Sequence, residues 1–132
     1  MAERTFTLEE ANAALDEIRP LAERMVEHRR ALHGALERWN ELTQRLGGNG
    51  GGISPVELRE GQEAVQREAA AVAECVEAIT GLGALVKDLD QGLVDFPSLR
   101  DDQTVLLCWH VGEDEIRYWH GLEEGFAGRK PL

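Results

Sequence analysis

The sequence is short of basic side chains: 14 Lys and Arg stand against 25 Asp and Glu. Nucleic-acid backbones and anionic membranes are gripped by clustered Lys and Arg, so neither is expected as a partner. Long apolar runs are also missing. No stretch approaches the roughly 18 apolar residues that a spanning helix needs. The opening Met1-Ala-Glu-Arg-Thr has no apolar signal segment, and the expected location is cytoplasmic. Cysteine is scarce. Cys75 and Cys108 fall in different predicted elements without metal-type spacing, so they read as two buried free thiols and not as a disulfide. No CxxC, HExxH or HxxH spacing occurs. The glycine run Gly47-Gly-Asn-Gly-Gly-Gly52 follows no strand and lacks a Gly-Lys-Ser/Thr ending, which makes it a flexible linker and not a phosphate cradle.

What is present is mostly helix. Thr7 followed by Glu10 has capping-box spacing, and Phe6 can staple against Ala11. A seven-residue repeat then runs through Leu8, Leu15, Ala22, Arg29, Leu36 and Thr43. A second row follows Ala11, Ile18, Met25, Leu32, Trp39 and Leu46. Two apolar rows per heptad mark a helix that packs along another helix. Pro20 removes a backbone donor and is expected to kink or break this helix near Asp16 to Arg19. Beyond the glycine loop, Ser54-Pro55-Val56-Glu57 starts a second helix with its own capping box. Leu58, Val65, Val72 and Ile79 repeat along it until Gly81-Leu-Gly83. At roughly 40 Å by the standard rise, it matches the segment after Pro20, so the two should form an antiparallel hairpin.

After Gly83 the apolar period changes to two. Ala84 to Asp88, Leu93 to Leu99 and Gln103 to Val111 read as three strands. They are joined by Leu89-Asp-Gln-Gly92 and Arg100-Asp-Asp102, both rich in turn formers. Pairing Leu99 with Thr104 sets Asp95 opposite Cys108, Phe96 opposite Leu107 and Val94 opposite Trp109. One face then carries Val94, Phe96, Val105, Leu107 and Trp109, and the first helical segment is its natural cover. The other face carries Leu93, Asp95, Leu106, Cys108 and His110, joined by Lys87 if Lys87 pairs with Leu93. Pro97 has no donor and is expected to bulge or break the second strand. In the tail, Glu113-Asp-Glu115 would start a short helical turn, and the aromatics Tyr118, Trp119 and Phe126 would pack it back on the sheet.

The string Lys87-Asp-Leu-Asp-x-Gly92-Leu-Val-Asp95-Phe-Pro97, followed by Leu107-Cys-Trp109, Gly112-Glu113, Tyr118-Trp-His120 and Gly125-Phe-Ala-Gly-Arg129, resembles an uncharacterised bacterial family, domain of unknown function 2203. Phe6-Thr-Leu-Glu-Glu-Ala-Asn12 with Pro20 resembles the family's opening. The resemblance spans nearly the whole chain and implies no activity. It does imply that the motif residues gather in the C-terminal third.

The side chains with chemistry to offer there are Lys87, Asp95, Cys108, Glu113 and His120, the types used for acid–base work, nucleophiles or metals. Against this stand plainer roles. Lys87 and Asp95 can be a cross-strand ion pair, Cys108 a small buried hydrophobe, and Glu113 the start of a turn. If a divalent metal is the cofactor, Asp95, Glu113 and His120 are its expected ligands. His28 and His33, five apart on the first helix, do not share a face. The resulting reading is one α+β domain over 1–132. A kinked helix (7–46), a Gly-rich loop (47–53) and a second helix (54–81) form the hairpin. A three-stranded antiparallel β-meander (84–111) and a packed tail (112–132) follow. Two helices cannot cover a full apolar stripe, so a homodimer or higher homo-oligomer is expected, burying Leu32, Leu36, Trp39, Val65 and Val72. The leading functional expectation is a self-associating interaction or scaffold module. The rival is a small-molecule or metal site on the polar face of the sheet, with or without enzymatic activity.

Overall fold

The computed structural model describes residues 4–48 and 52–132, so the middle of the glycine-rich linker lies outside the described residues. The protein is α+β. Two long helices, α1 (Leu8–Gly47) and α2 (Pro55–Gly81), form a hairpin that leads into a five-stranded antiparallel sheet. The strands are β1 (Leu85–Asp88), β2 (Leu93–Arg100), β3 (Gln103–His110), β4 (Tyr118–His120) and β5 (Lys130–Pro131), hydrogen-bonded in chain order. Both helix starts carry the expected capping boxes. Thr7 Oγ1 accepts the Glu10 N–H at 3.0 Å, and Ser54 Oγ accepts the Glu57 N–H at 3.1 Å.

Pro20 does not break α1, which is continuous over 40 residues. The proline lies on the exposed face, as does Asp16, whose carbonyl loses its intrahelical donor. Water can satisfy that carbonyl, so the helix continues past it. Inward, Ala11, Leu15, Ile18, Ala22 and Met25 of α1 join Val72, Cys75 and Ile79 of α2. They pack against Val94, Phe96, Leu107 and Trp109 of the sheet. Both cysteines are buried free thiols.

The β2–β3 hairpin has the register read from the sequence: Asp95 opposite Cys108, Phe96 opposite Leu107, Val94 opposite Trp109. The two-residue turn Asp101-Asp102, with φ of 50° and 65°, sets it. Positive φ at both positions is the turn that matches strand twist, and Asp tolerates that region. Pro97 neither bulges nor breaks β2 and pairs in step with Leu106. In a β-strand a residue's N–H and C=O point to the same edge. The Pro97 carbonyl accepts the Phe6 N–H at 2.7 Å, away from β3, so the missing donor faces the outer edge and costs β3 nothing.

Two further expectations are corrected. The sheet has five strands, because the tail does not form a helical turn at Glu113. It folds back as β4 and β5 and satisfies the outer edge of β3. Lys87 does not pair with Leu93. Asp88 does, and a bulge between Val86 and Asp88 leaves Lys87 without a partner in the ladder. At the β1–β2 turn, Gly92 has a φ of 69°, and a Cβ there would stand 2.5 Å from Val111 Cγ2 and 2.9 Å from Val26 Cγ2. Only glycine lets the turn sit this close to α1. Asp90 then bonds Arg29 Nε at 3.1 Å and lies 3.3 Å from His33 Nε2.

Candidate functional site

Side chains alternate across a strand, so the β2–β3 and β3–β4 registers decide which residues meet on the face turned away from the helices. Asp95 stands opposite Cys108, and His120 stands opposite Leu106, one pair further along the same face. All three polar side chains are buried, at 2%, 1% and 3% exposure. One ligand-type atom from each lies within 4.8 Å of the others, the one such group of three among the described residues. They form the floor of a pocket of about 280 Å³. Leu93, Leu106, Leu122 and Phe126 wall it, with Lys87 and Glu124 beside them.

The hydrogen bonds fix where protons reside. His120 Nδ1 lies 2.8 Å from the Gly121 carbonyl, which can only accept, so Nδ1 carries a hydrogen. Nε2 lies 3.1 Å from Asp95 Oδ2. A bond there needs one proton between the two atoms, held either by the imidazole or by the carboxyl. Burial pushes the Asp95 carboxyl up from its ordinary value, opposed by the charge and hydrogen bond of His120, the hydrogen bond from Cys108 and the charge of Lys87. Burial also pushes the Cys108 thiol up to about 12, with the Asp95 charge adding to the rise. A nucleophilic cysteine must be a thiolate near neutral pH, so this environment speaks against that role. A bound cation inverts the balance, because it stabilises the anionic forms that burial penalises.

Glu113 is not part of this floor. Its two carboxylate oxygens are held by Arg129 Nη2 at 2.8 and 2.9 Å, and Oε1 accepts the His110 N–H at 3.0 Å. Its backbone carbonyl accepts from Arg19 at 2.8 Å and from the Trp109 indole at 2.9 Å. The structure thus gathers Asp95, Cys108 and His120, sets Lys87 on the pocket wall, and gives Glu113 to a separate cluster. Of the metal ligands expected from the sequence, Asp95 and His120 lie together, and the third ligand-type side chain beside them is Cys108 and not Glu113.

Sequence reasoning missed the part played by Arg129. Its guanidinium lies 4.0 Å from the Tyr118 ring centroid and 4.6 Å from that of Phe126, and Nη2 reaches the Cys108 carbonyl at 3.4 Å. It pins the tail behind the strand that carries Cys108. An arginine three residues after Phe126, within Gly125-Phe-Ala-Gly-Arg129, is the available signal. The aromatics divide accordingly. Trp109 is wholly buried in the core, Trp119 lies under Arg100 and Lys130, and Phe126 both clamps Arg129 and walls the pocket. The loop from Gly121 to Gly125 is tied by Glu124, whose Oε1 accepts from the Gly121 N–H at 2.9 Å and from Lys130 Nζ at 2.6 Å.

Among the described residues, no helix is long and apolar enough to cross a membrane. Comparison with curated proteins and with solved structures returns no match. A family model does match, over residues 4–132, and takes in every residue of the pocket floor. The chain therefore belongs to the family described as uncharacterized conserved protein (DUF2203).

Proposed function

We propose that this protein binds a divalent transition metal of the zinc class through Asp95, Cys108 and His120. The observation that carries the reading is the gathering of three different metal-ligand types, all buried, within 4.8 Å at the floor of one pocket. Tetrahedral zinc with bonds of about 2.0–2.3 Å wants its donor atoms roughly 3.3–3.8 Å apart, so the set needs to close by no more than about 1.5 Å. His120 meets a further requirement, since its Nδ1–H is already committed to the Gly121 carbonyl and Nε2 faces the other donors. A mixed nitrogen, oxygen and sulfur set suits zinc, and magnesium and calcium prefer oxygen alone. Stripping the protein with a chelator and titrating cobalt(II) tests this. One ion per chain and a thiolate–cobalt charge-transfer band, lost in Cys108→Ser, are expected. Absence of both overturns the reading.

A second reading concerns the arm of the hairpin. Beyond Ala35 on α1 and before Val72 on α2, no apolar side chain of the described residues is fully buried. Leu36 is 37% exposed, and Trp39 and Val65 are half-buried. We propose that a second copy of the chain covers them, as in a scaffold module. Leu32 and Val72 are already covered within one chain, which leaves Leu36, Trp39 and Val65 as the contact. Sedimentation at high concentration tests it, and a strict monomer would end it. Two free thiols accord with a reducing compartment, and we propose the cytoplasm.

A further inference from the structure

Resting on the metal reading, we infer that the site takes a small monoanion, a carboxylate with a short apolar body, at a fourth coordination position that faces the pocket. Three protein donors leave a tetrahedral ion one position for an outside ligand, the arrangement of zinc sites that bind substrates. The pocket in front of the donors, at about 280 Å³, lies at the low end for small-molecule sites. It suits a molecule of a few carbons and is too small for a nucleotide.

Charge decides the sign of the ligand. The Asp95 carboxylate and Cys108 thiolate together neutralise a divalent ion, and His120 as a ligand adds no charge. Glu124 is already matched by Lys130 Nζ at 2.6 Å. Lys87 remains. It stands in the β1 bulge, lines the pocket, and has no carboxylate within 4.0 Å among the described residues. One positive charge is therefore left uncompensated at the wall, which favours an anion and opposes an amine. The wall supplies the rest of the specificity. Leu93 and Leu106 flank the floor, and Leu122 and Phe126 stand above it at 62% and 40% exposure. Those two side chains gain burial only when an apolar body lies against them.

The test uses the full chain loaded with cobalt(II), with acetate, hexanoate, hexanol and hexylamine as probes, read through the cobalt visible spectrum and thermal shift. Hexanoate should perturb the spectrum at lower concentration than acetate, and hexylamine should not perturb it. Lys87→Met should lower the preference for hexanoate over hexanol about three- to fivefold, the worth of an ion pair at a partly exposed site. Leu122→Ser should weaken hexanoate and leave acetate unmoved. Cobalt bound with a spectrum indifferent to hexanoate, or equal affinity for hexanoate and hexanol, overturns the inference and leaves the metal reading standing. Failure to bind cobalt overturns both.

Discussion

At the sheet end of the hairpin, α1 buries Ala11, Leu15, Ile18, Ala22 and Met25 beneath β2 and β3. At the loop end the same heptad rows offer Leu36, Trp39 and Leu46 on α1, and none is fully covered. The repeat is continuous, and the difference lies in what stands opposite. Near the sheet, each helix meets its partner and a third layer, which closes the stripe. Along the arm it meets only one other helix, and two helices seal a narrow seam at most. A heptad repeat thus states that a helix can pack on both rows, and the third layer decides whether it does.

The largest effect that would break this comparison is a truncation at the base. Phe96→Ala should cost about 3–5 kcal/mol, because the ring is wholly buried and packs edge-on against Phe6 with centroids 5.3 Å apart. Leu36→Ala on the arm should change the stability of a lone chain by less than about 1 kcal/mol. Urea titration of both variants measures the contrast, and equal losses would show that the arm is as tightly built as the base.

A smaller loss is expected at the tail clamp. Arg129→Lys keeps the charge but surrenders the planar stack on Tyr118 and Phe126 and weakens the hold on both Glu113 oxygens. It should cost about 1–3 kcal/mol. Loss of near-ultraviolet ellipticity from the tail aromatics should accompany it. A variant as stable as the parent would mean that β4 and β5 hold the tail unaided.

The smallest effect depends on pH. The folded-state pKa of Asp95 is raised, mainly by burial, so the folded chain holds this proton more firmly than the unfolded chain does. The stabilisation linked to that proton is complete below the unfolded value and is lost as pH rises through the folded one. Asp95→Asn cannot ionise, and its amide can donate to His120 Nε2. In metal-free protein, the stability of this variant relative to the parent should therefore rise between acid and neutral pH. A difference that stays flat across that range, measured by urea titration at each pH, would show that Asp95 feels no burial penalty. Cobalt affinity should follow pH for a different reason. Cys108, held at about 12, must release its proton to bind, so affinity rises with pH across the neutral range.

These contrasts also explain how far the sequence could be read. The β2–β3 register was legible because Arg100-Asp101-Asp102 marks a tight turn and the alternation on either side admits one pairing. That register alone places Asp95 against Cys108. His120 was legible as a residue type, but its place depends on β4, a strand of three residues with no period to detect. Glu113 lies away from the pocket floor because the chain reverses at Gly112, with a φ of 107°, and the carboxylate finds Arg129 16 residues later. Ion pairs at that separation leave no spacing signal. Whether Lys87 stands in the ladder was not legible, because a one-residue bulge is invisible to a period-two pattern. Pro20 does not break the helix for a related reason: its cost depends on which face it occupies.

The bond from Phe6 to the Pro97 carbonyl has a consequence for how these molecules behave toward one another. β1 covers only the first part of β2, so the rest of that strand forms a border of the sheet. Along such a border another chain can add itself strand by strand, the first step of disordered aggregation. Here the outward position at Pro97 has no hydrogen to offer, and Phe6 already occupies its acceptor. The proline that would look like a defect in a central strand thus guards the sheet against uninvited pairing.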